Sequence, residues 1–476
     1  MKSGNQSPRY AAKAMGRIHN LHFVGIGGAG MNGIAHVMMN LNYRISGSDI
    51  RTNAATDRLK EQGAKIFVGH DAKNIEFADA VITSSAVTNE NPEVKAAKEK
   101  RIPVVPRAEM LAEIMRFHFG IAVAGTHGKT TTTSLIASLL IDAGLDPTYV
   151  IGGRLNSAGS YAHLGEGEVL VAEADESDAS FLYLQPMLAV ITNVDEDHMA
   201  TYDYSFDKLR ETFLKFIHHL PFYGSVILCI DDQNARDLVP NIKRKVKTYG
   251  FSKEADVQGS NFQQKQGQTS FDVIVEKKEK FSIEFSMPGQ HNAQNALAAI
   301  SIAMELGISI PSIKKALQNF QGIDRRFQVT KNCIFDNLEI MLIDDYGHHP
   351  YEISATIDAI RKSWPDKRLV LAFQPHRYSR TRDSFDDFTS VLSEVDVLLL
   401  CEIFSAGEDF IAGADGRSLS RAIRMRGKID PIFFEDIEQL PKILKEVVLD
   451  GDIVLTAGAG NIGSIADKIR NNSYAE

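Results

Sequence analysis

Cysteine is scarce: Cys229, Cys333 and Cys401 are the three in 476 residues, each inside or beside an apolar segment. That excludes a disulfide scaffold and predicts buried thiols in a reducing compartment, so a cytoplasmic protein is expected. No apolar run approaches the ~20 residues of a membrane span, which argues against membrane insertion. The opening "MKSGNQSPRYAAKAMGRIHN" has no apolar centre and reads as a short, partly disordered lead-in, not a secretion signal. Basic residues are outnumbered, 52 Lys and Arg against 61 Asp and Glu for a net charge of -9, and no nucleic-acid partner is expected. Internal repeats and low-complexity stretches are missing too.

What is present is the balance of a globular chain, 44% hydrophobic and 24% charged. At roughly 100–200 residues per domain, its length predicts three domains. Short apolar strands alternate with helical stretches three times over, the pattern of parallel sheets. The first unit, residues 1–118, carries "LHFVGIG", "YRISGSD", "AKIFVG", "DAVITSSAV" and "PVVP". The second, 119–322, restarts at "GIAVAGTHGKTTTT" and continues through "EVLVAEAD", "MLAVITNV" and "GSVILCID". Within it, residues 244–286 read as short antiparallel strands, and "PGQHNAQNALAAISIAMELG" as a helix ended by Gly307. The third, 323–476, alternates again from "EIMLIDDY" to "DIVLTAGAGNIGS", with Ile353, Ile357 and Ile360 on one helix face.

Two glycine loops carry the chemistry. "HFVGIGGAGMNGIA" sets Gly25, Gly27 and Gly30 in G-x-G-x-x-G spacing between a strand and a helix; with Gly28 and Ala29 it reads as a diphosphate cradle at a helix N-terminus. NAD is the first ligand this pattern suggests, with Asp49 where a ribose-binding acid should stand. The second loop, "GTHGKTTT" (Gly125, Thr126, His127, Gly128, Lys129, Thr130, Thr131), is more specific. Its glycines let N–H groups turn to a phosphate, Lys129 adds a cation, and the Thr130 hydroxyl can ligate Mg2+. It departs from the ordinary Walker A pattern because Val123 stands five positions before Gly128. Nucleoside triphosphate binding is implied.

A triphosphate site needs hard metal ligands, and the next strands end in them. "VAEADESD" places Glu173, Asp175, Glu176 and Asp178, and "ITNVDEDHM" places Asn193, Asp195, Asp197 and His198, beyond apolar strands; any single acid there serves equally well as a helix cap. "HNAQNALAA" offers His291, Asn292 and Asn295 to a purine edge or phosphates, or simply caps a helix. "DDYGHHP" sets Asp344, Asp345, Tyr346, His348 and His349 after a strand, and "QPHRYSRTRDSF" sets His376, Arg377, Arg380 and Arg382 after the next. Such arginines suit capture of a carboxylate or phosphate, or form a solvated basic loop.

These stretches, with "RRFQ", follow one another across nearly the whole chain in an order that resembles the Mur ligases, and among them the alanine-adding branch. The resemblance implies an α/β protein of three domains: a Rossmann-like N-terminal domain for the UDP moiety, a central P-loop-type ATPase domain with a mostly parallel sheet, and a Rossmann-like C-terminal domain for the amino acid. It implies an ATP-dependent ligase joining L-alanine to the lactoyl carboxylate of UDP-N-acetylmuramate in peptidoglycan synthesis. ATP would convert the carboxylate to an acyl phosphate, since a carboxylate alone does not react with an amine near neutral pH. The amine then attacks and phosphate leaves a tetrahedral intermediate, chemistry that rests on positioning and charge neutralisation.

By the same resemblance, Lys129 steadies the β- and γ-phosphates, Thr130 and Glu173 hold one Mg2+, and His198 ligates a second, with Mn2+ able to substitute. His291, Asn292 and Asn295 lie on the adenine side, Arg326 reaches the phosphates and Asp345 the ribose. Arg377 and Arg380, with Tyr346, hold the alanine. Ser84, Asn89, Arg107, Asp175 and Asn193 join the first loop around the sugar nucleotide, with Asp49 near the uridine. His348 sits near the reacting groups, and either it or a water takes the amine proton. No carbamylated lysine is expected, because Asp195 to Tyr204 contains no lysine. Domain closure about Gly322 to Arg326, and a monomer or weak homodimer, complete the expectation. The rivals are an NAD-dependent oxidoreductase using the first loop, a non-catalytic binding protein, and the related ligase that recycles a preformed tripeptide.

Overall fold

The structure, a computed structural model, describes residues 15, 17–84, 86–156 and 160–473, so most of the expected lead-in lies outside the described residues. Three sheets form. The first has five parallel strands, β1 (Asn20–Val24), β2 (Arg44–Asp49), β3 (Lys65–Val68), β4 (Ala80–Thr83) and β5 (Val104–Pro106), in the order β3-β2-β1-β4-β5. The order reverses at β1, which places the first glycine loop at the sheet's switch point, where open α/β sheets take ligands.

The second sheet has ten strands: β6 (Phe119–Ala124), β7 (Thr148–Leu155), β8 (Ser160–His163), β9 (Val169–Glu173), β10 (Leu188–Ile191), β11 (Ser225–Cys229), β12 (Lys245–Gly250), β13 (Val257–Lys265), β14 (Gln268–Val275) and β15 (Glu279–Phe285). Their order is β15-β14-β13-β12-β11-β10-β6-β9-β7-β8. The centre, β11-β10-β6-β9, is parallel and reads as near-continuous apolar runs because both faces are covered. One expectation fails here: β12 pairs parallel with β11 and with β13, not antiparallel. The chain between β11 and β12 crosses over through the short helix Gln233–Arg236 and so returns in the same direction. The β7–β8 hairpin was not foreseen.

The third sheet joins β16 (Gln328–Phe335), β17 (Leu338–Asp345), β18 (Leu369–Phe373), β19 (Val397–Cys401), β20 (Ile432–Phe434) and β21 (Ile453–Ala457) in the order β16-β17-β21-β18-β19-β20. Only the edge strand β16 runs antiparallel to its neighbour among these. Ile353, Ile357 and Ile360 are buried along one face of helix Pro350–Ser363, as their spacing predicts. The three cysteines are buried, free thiols.

Contacts divide the chain into two compact units: Met1–Ser260 with Asp272–Ile283 and Gln294–Phe320, and Asn261–Phe271 with Glu284–Ala293 and Gln321–Glu476. In the first unit a single apolar core runs from Leu21 on β1 to Ile191 on β10 and Leu228 on β11, so the first sheet and the parallel centre of the second share one interior.

Candidate functional site

The loop "GTHGKTTT" links β6 to helix Lys129–Asp142. Only glycine fits twice. Gly125 has φ +133 and a Cβ there would collide with the Thr192 hydroxyl; Gly128 has φ +83 and its Cβ would meet Asn295 Oδ1 at 2.7 Å. Side chains from the end of β10 hold the loop. Asn193 Oδ1 accepts the His127 N–H at 2.8 Å while its Nδ2 donates to His127 O at 3.0 Å. The Thr192 hydroxyl donates to the same carbonyl at 2.6 Å, and Asp195 N–H donates to Thr126 Oγ1 at 2.8 Å. Asn193 thus braces the phosphate loop. Asn295 belongs here too, accepting from Thr132 Oγ1 at 3.1 Å.

Lys129 folds back over the loop: Nζ donates to Gly125 O (2.7 Å), Thr126 O (3.1 Å) and Glu176 Oε1 (2.9 Å). Glu176 is almost fully buried, and burial, reinforced by the Asp175 charge, pushes its carboxyl up to about 7 although Lys129 opposes the shift. The Lys129 ammonium moves upward because Glu176 and Asp175 outweigh its own burial. Asp175 moves down despite burial, held by Lys129 and by Arg107, whose Nη2 lies 3.2 Å from Asp175 Oδ2. The sequence offers Glu176 only as one of four candidate metal ligands at the end of β9; in the structure it is the ion-pair partner of Lys129.

The three residues expected to hold metal come from three elements. Thr130 is buried in the first turn of helix Lys129–Asp142. Glu173 ends β9, next to β6, and its Oε1 accepts the Gly152 N–H at 2.7 Å. His198 is in the left-handed region (φ 55), with Nε2 3.5 Å from Asp197 Oδ2. A hydroxyl, a carboxylate and an imidazole are donor types that suit a hard divalent cation.

At the first loop, Asp49 closes on the backbone: its Oδ2 accepts the Gly27 N–H at 2.8 Å and its Oδ1 the Ile50 N–H at 2.8 Å. Helix Ala29–Asn40 begins at this loop with no side-chain cap from Gly28, and the first-turn N–H groups of a helix have no intrahelical acceptor. Gly30 is packed by the Arg107 guanidinium so closely that a Cβ would collide with it. Arg107 therefore touches both the first loop and Asp175. It also lines, with Thr83, Ser84, Asp178, Ser180 and Tyr183, a cavity of about 500 Å³. Asn89 does not join it; Asn89 is exposed and accepts from Lys98 Nζ at 2.7 Å.

In the second unit, burial draws the His291 imidazole down to about 4, with Asp358 and Glu352 opposing, and Asn292 Nδ2 donates to Pro288 O at 2.7 Å. Asp345 accepts the N–H groups of Phe327 and Gly347, each at 2.7 Å. Two cations lie over the Tyr346 ring, the Arg325 guanidinium at 5.1 Å and that of Arg326 at 5.0 Å. Rings chain onward from Tyr346 to His348 (5.6 Å) and from His348 to His376 (5.8 Å). Arg380 is buried with Nη1 3.5 Å from His376 Nδ1, whereas Arg377 is half-exposed and 3.9 Å from Glu408. "DDYGHHP" and "QPHRYSR" thus converge. Arg325, which the sequence reading left without a role, ties this cluster to the residue after β21 through Gly458 O (2.5 Å) and to the end of β17 through Asp344 (3.3 Å).

Comparison with known proteins matches this arrangement. Residues 20–119 match the model described as "Mur ligase family, catalytic domain", 123–303 the "Mur ligase middle domain", and 325–460 the "Mur ligase, glutamate ligase domain". The chain is 56% identical over 457 residues to a UDP-N-acetylmuramate–L-alanine ligase of Methylococcus capsulatus, covering 96% of this chain and 97% of that protein. A crystal structure of a UDP-N-acetylmuramate-alanine ligase from Thermotoga maritima superposes with TM-score 0.81 at 28% identity, covering 95% of this chain and 98% of that one. A murein peptide ligase from Psychrobacter arcticus shares the fold, with TM-score 0.72 at 22% identity over 96% of this chain and 99% of that one. The chain belongs to the Mur ligase family.

Proposed function

We propose that this chain joins L-alanine to the lactoyl carboxylate of UDP-N-acetylmuramate, forming ADP and phosphate, in cytoplasmic peptidoglycan precursor synthesis. The observation that carries the reading is Arg107, which packs on Gly30 of the diphosphate-type loop and pairs with Asp175 beside the triphosphate-type loop. A sugar nucleotide on one loop can then present its carboxylate toward ATP on the other. The 56% identical relative named for this reaction supports the choice of alanine. Against an NAD enzyme stand the Mur ligase family models that cover all three sheets of the chain, and Asp49 braces the first loop through two backbone N–H groups.

Lys129 neutralises charge on the transferring phosphoryl group, and Asn193 and Thr192 keep the loop in the shape that presents it. Thr130, Glu173 and His198 would hold Mg2+, in two ions with Mn2+ as a substitute, supplying Lewis-acid charge neutralisation at the phosphates. Ser84 and Arg107 line the cavity that would take the amino sugar. In the second unit, Arg326 and Asp345 are assigned to the nucleotide, and Arg380 and Arg377 to the alanine carboxylate. His348 Nδ1 lies 3.1 Å from Tyr346 O, which orients its ring as a candidate acceptor for the amine proton.

The test is phosphate release with UDP-N-acetylmuramate, ATP and Mg2+ against a panel of amino acids and the murein tripeptide. Turnover with L-alanine is expected. Turnover with the tripeptide alone would reassign the chain to the recycling ligases, and tight nicotinamide-nucleotide binding without ATP turnover would overturn the ligase reading.

A further inference from the structure

The diphosphate loop is anchored at the end of β2, on groups to which the proposed reaction gives no part. Gly25 and Ile26 donate to Ser48 O at 2.8 and 3.1 Å, and Gly27 donates to Asp49 Oδ2 at 2.8 Å, so three consecutive loop amides hang on the end of β2. The Ser48 hydroxyl in turn donates to Glu93 Oε2 at 2.6 Å. Glu93, in the first turn of helix Pro92–Glu99, is fully buried. Its carboxylate also accepts Asn74 Nδ2 at 2.6 Å and lies 3.2 Å from His70 Nδ1 and 3.5 Å from His22 Nε2. His22, on β1, is itself 2.9 Å from Ser46 Oγ. A buried carboxylate persists only where polar groups converge on it, and here they come from β1, β2, the turn at Ala72–Ile75 and the segment after β3. An apolar cluster would fill this interior as well; what a charged hub adds is a fixed orientation for the Ser48 peptide, and hence for the loop hanging on it.

We propose that Glu93 is a positioning residue for the sugar nucleotide, acting through Ser48 to set the loop 25–27 and the helix N-terminus that faces the diphosphate. This rests on reading that loop as the UDP-sugar site.

The test compares Glu93→Gln, Ser48→Ala, the double variant and Ser48→Thr, which keeps the hydroxyl. Calorimetric binding of UDP-N-acetylmuramate without ATP is measured beside steady-state constants and the urea midpoint. Glu93→Gln and Ser48→Ala should each weaken sugar-nucleotide binding about tenfold and raise its KM alike, with kcat and the KM for ATP within about twofold of wild type. The double variant should be no worse than the weaker single one, because both break one chain of contacts, and Ser48→Thr should recover most of the loss. Ser48→Ala removes one hydroxyl and carries the test should Glu93→Gln not fold. A folded Ser48→Ala that binds like wild type, or one whose kcat and both KM values shift together with the urea midpoint, overturns the positioning role alone. Wild-type protein that does not bind UDP-N-acetylmuramate overturns the substrate reading, and this inference with it.

Discussion

At the scale of single residues, Lys129 is the most constrained group. An ammonium has three N–H donors, and here they meet Gly125 O, Thr126 O and a Glu176 oxygen. In the proposed role, Lys129 would have to give up at least one of these contacts to reach a phosphate, most simply the side-chain one. Lys129→Met keeps the length and removes the charge, so ATP turnover should fall about 100- to 1000-fold, measured as kcat in the phosphate-release assay. The variant should still fold, because Glu176, already pushed up to about 7, becomes protonated once its cation is gone. The glycines give a sharper stability contrast. Gly125→Ala combines φ +133 with a collision at Thr192, and should cost roughly 2–4 kcal/mol. Gly144→Ala meets φ +75 in open space, and should cost only about 1–2 kcal/mol. Equal urea midpoints for the two would show that the loop relaxes around the added methyl.

At the scale of elements, the end of β2 organises the first sheet, and Glu93 ties it to pH. Burial alone would raise this carboxyl, but bonds from His22, Ser48 and Asn74 bring it down to about 2 from 4.5. A depressed carboxyl gives stability that is complete above the unfolded value and lost as pH falls through the folded one. Roughly 3 kcal/mol should therefore disappear between pH 4.5 and 2, and a Glu93→Gln variant should show a flatter stability profile there in urea titrations. Strands such as "GIAVAG" and "RLVLAFQP" were legible because a buried parallel strand is an unbroken apolar run, and both glycine loops because few other turns need those residues at a helix start. Glu93 was not legible: "NPEVKAAKEK" has the composition of a solvated helix, and only its docking under β2 buries the acid. Strand direction was hidden for the same kind of reason. Nothing within "KVKTYG" distinguishes parallel from antiparallel; the crossover before it decides. The β7–β8 hairpin, with its glycines in "TYVIGGRL", lacks the apolar alternation that marks a strand. Asn193 and Asp49 fell at the expected strand ends, but whether an amide or carboxylate turns to a ligand or to a neighbouring backbone N–H is set by loops that approach from elsewhere in the chain.

At the scale of the whole molecule, the chain's division into compact units is not a division of the sequence. The second unit takes Asn261–Phe271 and Glu284–Ala293 from the middle of the chain, together with everything from Gln321 on. Those borrowed segments are bonded into it: Gln264 Nε2 donates to Ala359 O and Ser363 Oγ, both at 2.6 Å, and the Gly289 N–H donates to Gln264 Oε1 at 2.7 Å. The sole tryptophan, Trp364, reports on this seam, because its ring lies 3.3 Å from where a Gly267 Cβ would stand. A fragment starting at residue 323 retains β16 to β21 and both of their apolar clusters, so it should fold. It leaves the Ala359 carbonyl and the Ser363 hydroxyl without Gln264 and exposes one face of Trp364. Loss of two side-chain hydrogen bonds at about 1 kcal/mol each, with the packing around the indole, predicts a fragment roughly 2–4 kcal/mol less stable than the same unit in the full chain. Its tryptophan emission should move to longer wavelength than in the full chain, and urea unfolding followed at that single fluorophore measures both quantities at once. Matching emission and matching midpoints would mean that the borrowed segments only rest on this unit and that residues 323–476 are complete by themselves.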